Sequence, residues 1–190
     1  MVPVLEQVPC QIETERLILR TARESDASAL NHAVCESLEE LRVHMPWAQT
    51  APSLEQSAAD CRRLQGTFLL RQNLTFLMFE RHTAGAEGAL IGGTGLHRID
   101  WKVRRFEIGY WCRSSRTGCG FVTEAARAMC RLAFDHLQAR RVEVRMDDLN
   151  ERSRRVAERA GFALEGVLCS DSLNPGGQPR DTRIYALTDA

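Results

Sequence analysis

The sequence predicts a single mixed α/β domain, and three observations carry that prediction. In residues 106–112 (FEIGYWC), Phe106, Ile108 and Tyr110 alternate with Glu107, Gly109 and Trp111, the period of two expected of a strand. Two glycines one residue apart, Gly118 and Gly120, follow in a short loop. Beyond them Phe121, Ala125, Met129, Leu132, Ala133 and Leu137 recur at helical spacing, with Glu124, Arg127, Arg131 and Asp135 opposite. Strand and helix patterns interleave along the rest of the chain, without an internal repeat or a low-complexity segment.

The elements follow in order. Residues 15–21 read as an opening strand, and helical patterns run from about Ser25 into the forties, with Trp47 in the connection that follows. Ser53 and Gln56 (S-L-E-Q) form a capping box, in which each side chain satisfies an otherwise unpartnered amide, so a helix is expected from there to about Arg71. Three strands come next, over residues 75–81, 90–99 and 105–112, joined by the turn TAGAEGA (residues 83–89) and a short link around Lys102. After the glycine loop and its helix, residues 141–146 alternate, with Val142, Val144 and Met146 on the buried side. Asn150 is a natural cap for a helix that Gly161 ends. Two last strands, residues 162–170 and 180–187, flank the turn NPGGQP.

Composition narrows the function classes. At 190 residues and 44% hydrophobic, the chain suits one domain over residues 1–190 with a substantial core. No apolar run approaches a membrane span, and the opening MVPVLEQVPCQIE lacks a basic region followed by a long apolar stretch. Neither an anchor nor a signal peptide is expected, and a cytoplasmic location is. Seven cysteines without a C-x-x-C pair fit reduced thiols better than a disulfide framework or a zinc site, so no metal is expected. Formal charge is zero, yet residues 98–159 carry 15 basic and nine acidic side chains, an excess that surrounds the glycine loop and would attract a polyanion. Arg113 and Arg116 stand next to the loop, placed to help attract such a ligand, while Arg152, Arg154, Arg155 and Arg159 read as a solvated helix face. No aromatic residues interleave with the basic ones as on a nucleic-acid surface, so no specific nucleic-acid partner is expected.

The loop itself has the chemistry of an anion cradle. The first amides of a helix lack internal partners and carry the positive end of its dipole, and glycines admit the positive φ that such a nest requires. The common phosphate loops do not fit: no lysine followed by Ser or Thr comes after Gly120, and the third glycine of a G-x-G-x-x-G fingerprint is replaced by Thr123. Cys119 lies inside the loop, whose purpose reads as amide presentation rather than thiol chemistry.

The stretch TGCGFV, residues 117–122, resembles motif A of the GNAT superfamily of acetyl-CoA-dependent N-acetyltransferases. Further blocks resemble its RimJ/RimL branch in the right order: ETERLILR (13–20), MPW (45–47), FEIGYW before the loop, TEA after it, NERSRRVAERAGFALEG (150–166) and RDTRIYAL (180–187). The resemblance covers nearly the whole chain. It implies the GNAT fold, a mixed central sheet with helices on both sides and two parallel strands that splay apart to admit the pantetheine arm of CoA. Thr117, Gly118, Cys119, Gly120, Phe121 and Val122 would then cradle the pyrophosphate, with Thr117 in place of the family's Gln or Arg and Val122 in place of a small residue. Backbone groups near Trp111, Cys112 and Arg113 would pair with the pantetheine, and Arg116 would assist with charge.

The implied reaction is direct attack of a neutral amine on acetyl-CoA. It requires loss of a proton from the ammonium and protonation of the departing thiolate. Asn150 and Ser153 match the family's N-x-x-S facing the pantetheine, which makes Ser153 the candidate acid. Candidate bases are Glu107, on the strand that bears the reaction centre, and Asp171, near the end of another strand. His97 and Tyr185 are further candidates on the acceptor side, and Trp47 either lines the acceptor cleft or holds its connection in the core. The branch implies a protein N-terminal α-amino group as acceptor, with the protein acting as a monomer or homodimer. A small-molecule amine or antibiotic is the second enzyme reading, and a non-catalytic CoA-binding sensor the reading from another class.

Overall fold

The computed structural model describes residues 2–82 and 85–188, so the first two residues of the expected turn over 83–89 lie outside it. The chain opens with a hairpin, β1 (Gln11–Glu13) and β2 (Leu17–Arg20), at whose turn the Leu17 amide donates to Thr14 Oγ1 at 2.9 Å. The strand expected over residues 15–21 is its second arm; the first is too short for alternation to reveal. Three helices follow, α1 (Ala27–Glu36), α2 (Leu38–His44) and α3 (Leu54–Leu69). The cap of α3 is reciprocal: the Gln56 amide donates to Ser53 Oγ at 3.1 Å, and the Ser53 amide to Gln56 Oε1 at 2.7 Å.

Strands β3 (Leu74–Arg81), β4 (Glu87–Asp100) and β5 (Arg105–Cys112) form an antiparallel meander. Helix α4 (Phe121–Arg131), prolonged by a π-helical turn at Leu132–His136, then crosses over to β6 (Arg141–Asp147). Asn150 caps α5 (Glu151–Ala160), its Oδ1 accepting from the Ser153 amide at 3.0 Å, and Gly161 ends it at φ 99°, a left-handed conformation that favours glycine. β7 (Ala163–Leu173) and β8 (Pro179–Thr188) form the final hairpin. The sheet order is β1-β2-β3-β4-β5-β6-β8-β7, with β5 and β6 as its parallel pair.

Alternation divides the apolar side chains between two cores. Leu17, Leu19, Phe76, Met78, Phe106, Ile108, Val142 and Val144 face α4 and α5, where Ala125, Met129 and Ala157 meet them. Ile18, Leu77 and Phe79 face the other way, against Leu30, Ala33 and Val34 of α1 and Cys61 of α3. This second layer of helices packs on β3 and β4. Toward β6 that face is open: the residues flanking Val142 and Val144 on β6 are only half-buried. Arg20, the last residue of β2, is 3% exposed beneath the helices, where it forms a bidentate pair with Asp26 at 2.7 Å and a second pair with Glu87 at 2.6 Å.

The β5–β6 ladder is short. Register pairs run from Arg105–Arg141 to Glu107–Glu143 and stop there, although β5 continues to Cys112 and β6 to Asp147. The two strands therefore part, and among the described residues the β6-facing edge of residues 108–112 has no strand partner.

Candidate active site

The glycine loop lies beside this parting. After β5 the chain makes a 3-10 turn at Ser114–Arg116 and passes through Gly118 (φ 79°) and Gly120 (φ 81°) into α4. Both glycines are needed for conformation and not for lack of room. A Cβ at Gly118 would meet nothing within 4 Å, and one at Gly120 would meet only Arg16 Nη2, at 3.5 Å. Among the described residues, no acceptor partners the amides of Gly118 through Thr123, and no side chain caps α4. Six successive donors at the positive end of a helix thus stand without a protein partner, which is the arrangement a phosphate satisfies.

The loop is braced from behind by residues more than a hundred positions away. Arg16 Nη1 donates to the Cys119 carbonyl at 3.0 Å, while Arg16 Nε and the Arg16 amide donate to Glu124 in the first turn of α4, at 2.7 and 2.9 Å. Thr14 Oγ1 donates to the same carboxylate at 2.6 Å. Because a peptide's C=O and N–H point in opposite directions, fixing the Cys119 carbonyl on one side turns the Gly120 amide to the other. Burial pushes the Glu124 carboxyl up, but the bonds from Thr14 and Arg16 prevail and hold it below the usual carboxylate range. The Arg16 guanidinium also lies 4.9 Å over the ring of Phe121.

Other side chains around the loop are already engaged. Arg113 Nε donates to Glu36 of α1 at 2.6 Å, and the bonds from Arg113 and Ser115 push that carboxyl down to about 2. Arg113 is therefore turned toward α1, not toward the loop. Arg116 lies 3.5 Å from Glu80, half-exposed, and Thr117 Oγ1 donates to the Ser114 carbonyl at 3.0 Å. Cys119 is exposed, and Val122 is half-buried against the main core. Burial pushes the Cys112 thiol up to about 11, so it is neutral near pH 7.

Across the parting, Ser153 sits in the first turn of α5. Its hydroxyl and its carbonyl each lie 3.1 Å from Tyr110 Oη, on the stretch of β5 that β6 has left. On the open face of the sheet, His97 and Glu107 are register neighbours on β4 and β5. Glu107 is desolvated, which raises its carboxyl, and its nearest cation is Arg98 at 3.4 Å. Burial lowers His97, keeping the imidazole neutral, and the ring lies over Gly109, where a Cβ would come within 3.1 Å of it. Trp111 lies across Gly93, whose Cβ would fall 2.6 Å from the indole nitrogen. Trp47 meets Trp111 edge to face at 5.9 Å and is 54% exposed.

Two sequence candidates stand apart. Asp171 pairs with Arg145 at 2.9 Å on the outer part of the open face. Tyr185 is opposite Val144 in register and so faces α5, where it is 3% exposed and donates to Glu158 at 3.2 Å; it is a core residue on the other side of the sheet from Glu107. Among the described residues no group of His, Cys, Asp or Glu side chains gathers as a metal site, and no helix is long and apolar enough to cross a membrane.

The family model of the GNAT acetyltransferase domain matches residues 16–163. The chain belongs to the GNAT acetyltransferase family. The ribosomal-protein-serine acetyltransferase of Escherichia coli is 30% identical over 178 residues, 91% of this chain and 93% of its own length. The uncharacterized N-acetyltransferase YoaA of Bacillus subtilis is 29% identical over 93% of this chain and 95% of its own length, whereas B. subtilis YdaF is 39% identical over 101 residues, 55% of its length. Among solved structures, the microcin C7 self-immunity acetyltransferase MccE, in complex with acetyl-CoA and AMP, superposes with a TM-score of 0.86 at 21% identity over 96% of this chain and 98% of its own. Mycobacterium smegmatis RimJ, in complex with CoA-disulfide, has a TM-score of 0.78 at 26% identity over 90% and 81% of the two chains. The fold is thus the GNAT fold of the RimJ/RimL branch, and the protein is an N-acetyltransferase that uses acetyl-CoA.

Within the GNAT frame, the residues that sequence reasoning passed over are Thr14, Arg16, Glu124 and Tyr110. Each lay in a block that carried the resemblance, ETERLILR, TEA or FEIGYW, without a chemical reason attached to it. Their partners are between 43 and 110 positions away, so no local spacing could have revealed them.

Proposed function

We propose that this protein acetylates the α-amino group of a protein N-terminus, the acetyl donor lying in the parting between β5 and β6. The acceptor class is carried by the likeness to the E. coli ribosomal-protein-serine acetyltransferase over nine-tenths of the chain. In this reading the free amides of residues 118–123 bind the pyrophosphate, with Thr117, Cys119, Phe121 and Val122 shaping the loop and Arg116 contributing charge. The unpaired edge of β5 through Trp111 and Cys112, and the backbone at Arg113, take the pantetheine amides as a strand would. Asn150 fixes the first turn of α5 so that Ser153 faces the thioester sulfur.

The acceptor enters over the open face, between the exposed Trp47 and the pair His97 and Glu107. Desolvation makes Glu107 a stronger base than a surface carboxylate, so it draws the ammonium proton, through water where needed. Asp171, tied to Arg145, is the second candidate for that path. The single sheet and the span of the family match support one domain throughout.

The test is release of free CoA thiol with three acceptors: a peptide with a free N-terminus, the same peptide with its N-terminus blocked and a lysine side chain free, and a set of small amines. Turnover with the first, and little with the second, is expected. Turnover with the small amines alone would replace this acceptor class with small-molecule acetylation.

A further inference from the structure

Tyr110 Oη has one proton and two acceptors within 3.1 Å, the carbonyl oxygen and the hydroxyl oxygen of Ser153. When the proton goes to the carbonyl, the serine hydroxyl is left facing a phenol lone pair and donates back to it. When it goes to Ser153 Oγ, the serine's own proton is free to point elsewhere, and a hydroxyl that is accepting one bond donates another more strongly. We propose that Tyr110 is a positioning residue for acetyl transfer: by donating to Ser153 Oγ, it turns the serine hydroxyl toward the sulfur of the departing CoA. The inference rests on the reading that Ser153 faces the thioester.

The step balances with water as the proton carrier. The amine nitrogen forms its bond to the acetyl carbon, the C–S bond breaks with its electron pair going to sulfur, and the proton of the amine passes to the base. The Ser153 O–H holds the thiolate, which takes a proton from water; the hydroxide left behind takes up the proton held by the base, and Tyr110 keeps its own. Burial supports this division, since it pushes the Tyr110 phenol up to about 12 and leaves it a standing donor. Tyr110 is on the helix-covered side of β5, packed against the main core, and its hydroxyl ties β5 to α5 where strand pairing has ended. A strut between the two is therefore the competing role.

A double-mutant cycle separates them. Tyr110→Phe keeps the ring and removes the hydroxyl, and Ser153→Ala removes the group through which it acts. Each is expected to lower kcat by roughly tenfold, with KM for acetyl-CoA within about twofold of the parent, and the double variant to be no slower than Ser153→Ala alone. Losses that multiply in the double variant, or a normal kcat in Tyr110→Phe, would overturn the positioning role and leave the Ser153 reading intact. A normal kcat in Ser153→Ala would overturn both. Should Tyr110→Phe fold poorly, a fluorinated tyrosine at position 110 keeps the strut and makes the phenol more acidic. A fall in kcat at high pH that moves to lower pH with fluorination supports positioning, and an unmoved profile refutes it.

Discussion

Replacing Arg16 with alanine should separate recognition of the CoA phosphates from recognition of the rest of the molecule. The guanidinium makes a 3.0 Å bond to the Cys119 carbonyl and a 2.7 Å ion pair with Glu124, and its side chain is 46% exposed. An ion pair so open to solvent stabilises the fold by about 0.5–1 kcal/mol, worth about 1–4 °C in melting temperature for a chain of this size. The effect on binding should be larger. Without Arg16 the Cys119–Gly120 peptide is free to rotate, and the Glu124 carboxylate stands uncompensated beside the amides proposed to receive the phosphates. Losing the equivalent of one hydrogen bond to a charged group, about 1.5–3 kcal/mol, weakens CoA binding by about 10- to 100-fold. Titration calorimetry with CoA measures this directly, and turnover of S-acetylpantetheine, which has no phosphate, is the control. The control should stay within about twofold of the parent, and Glu124→Gln in the same background should restore part of the CoA affinity. An unchanged affinity in Arg16→Ala, or an equal loss with S-acetylpantetheine, would refute the brace.

Three other outcomes are expected. Gly120→Val forces a branched residue into a φ of 81°, so CoA affinity should fall by about tenfold or more while circular dichroism stays that of the parent; affinity equal to the parent's would place the phosphates elsewhere. Glu107→Gln should lower turnover by about tenfold or more, flatten its rise with pH and spare CoA affinity, with Asp171→Asn doing less; an unchanged pH profile in both removes them from the proton path. Its effect on stability has the opposite sign. Burial raises Glu107, so the stability it gives is present below the unfolded value of about 4.3 and is lost as pH rises through the folded value, and the glutamine variant should melt no lower than the parent at pH 7. Arg20→Met leaves Asp26, 6% exposed, without its bidentate partner, and should cost about 3–5 kcal/mol, read as a fall in melting temperature of at least about 6 °C; a smaller fall would mean that water reaches the carboxylate.

What the sequence disclosed was local. The alternation of residues 106–112, the glycines before α4 and the Asn150 cap are each written within ten residues, and each is found where the spacing puts it. Alternation says that neighbours lie on opposite faces, but only register says which face. Tyr185 belongs to the core because it stands opposite Val144, a pairing 41 positions long that no period reveals. Proximity in sequence makes Arg113 look like an aid to phosphate binding, yet Glu36 on α1 draws it away. The three residues of strand β1 give alternation too little length to show. Conversely, the use of Gly93 and Gly109 is visible only once Trp111 and His97 are seen to lie across them.

The short ladder between β5 and β6 also has a mechanical meaning. Among the described residues, three register pairs are all the strand pairing that joins the ribbon β1–β5 to the ribbon β6, β8 and β7, and beyond them the fold has a seam. Backbone amides on either side of a seam exchange with solvent more readily than those inside a ladder, and a donor arm laid along it would supply the missing rungs. The acetyl donor would then be a structural member as well as a reactant, stiffening the sheet at the moment when the reacting groups must hold still and releasing that stiffness when CoA departs.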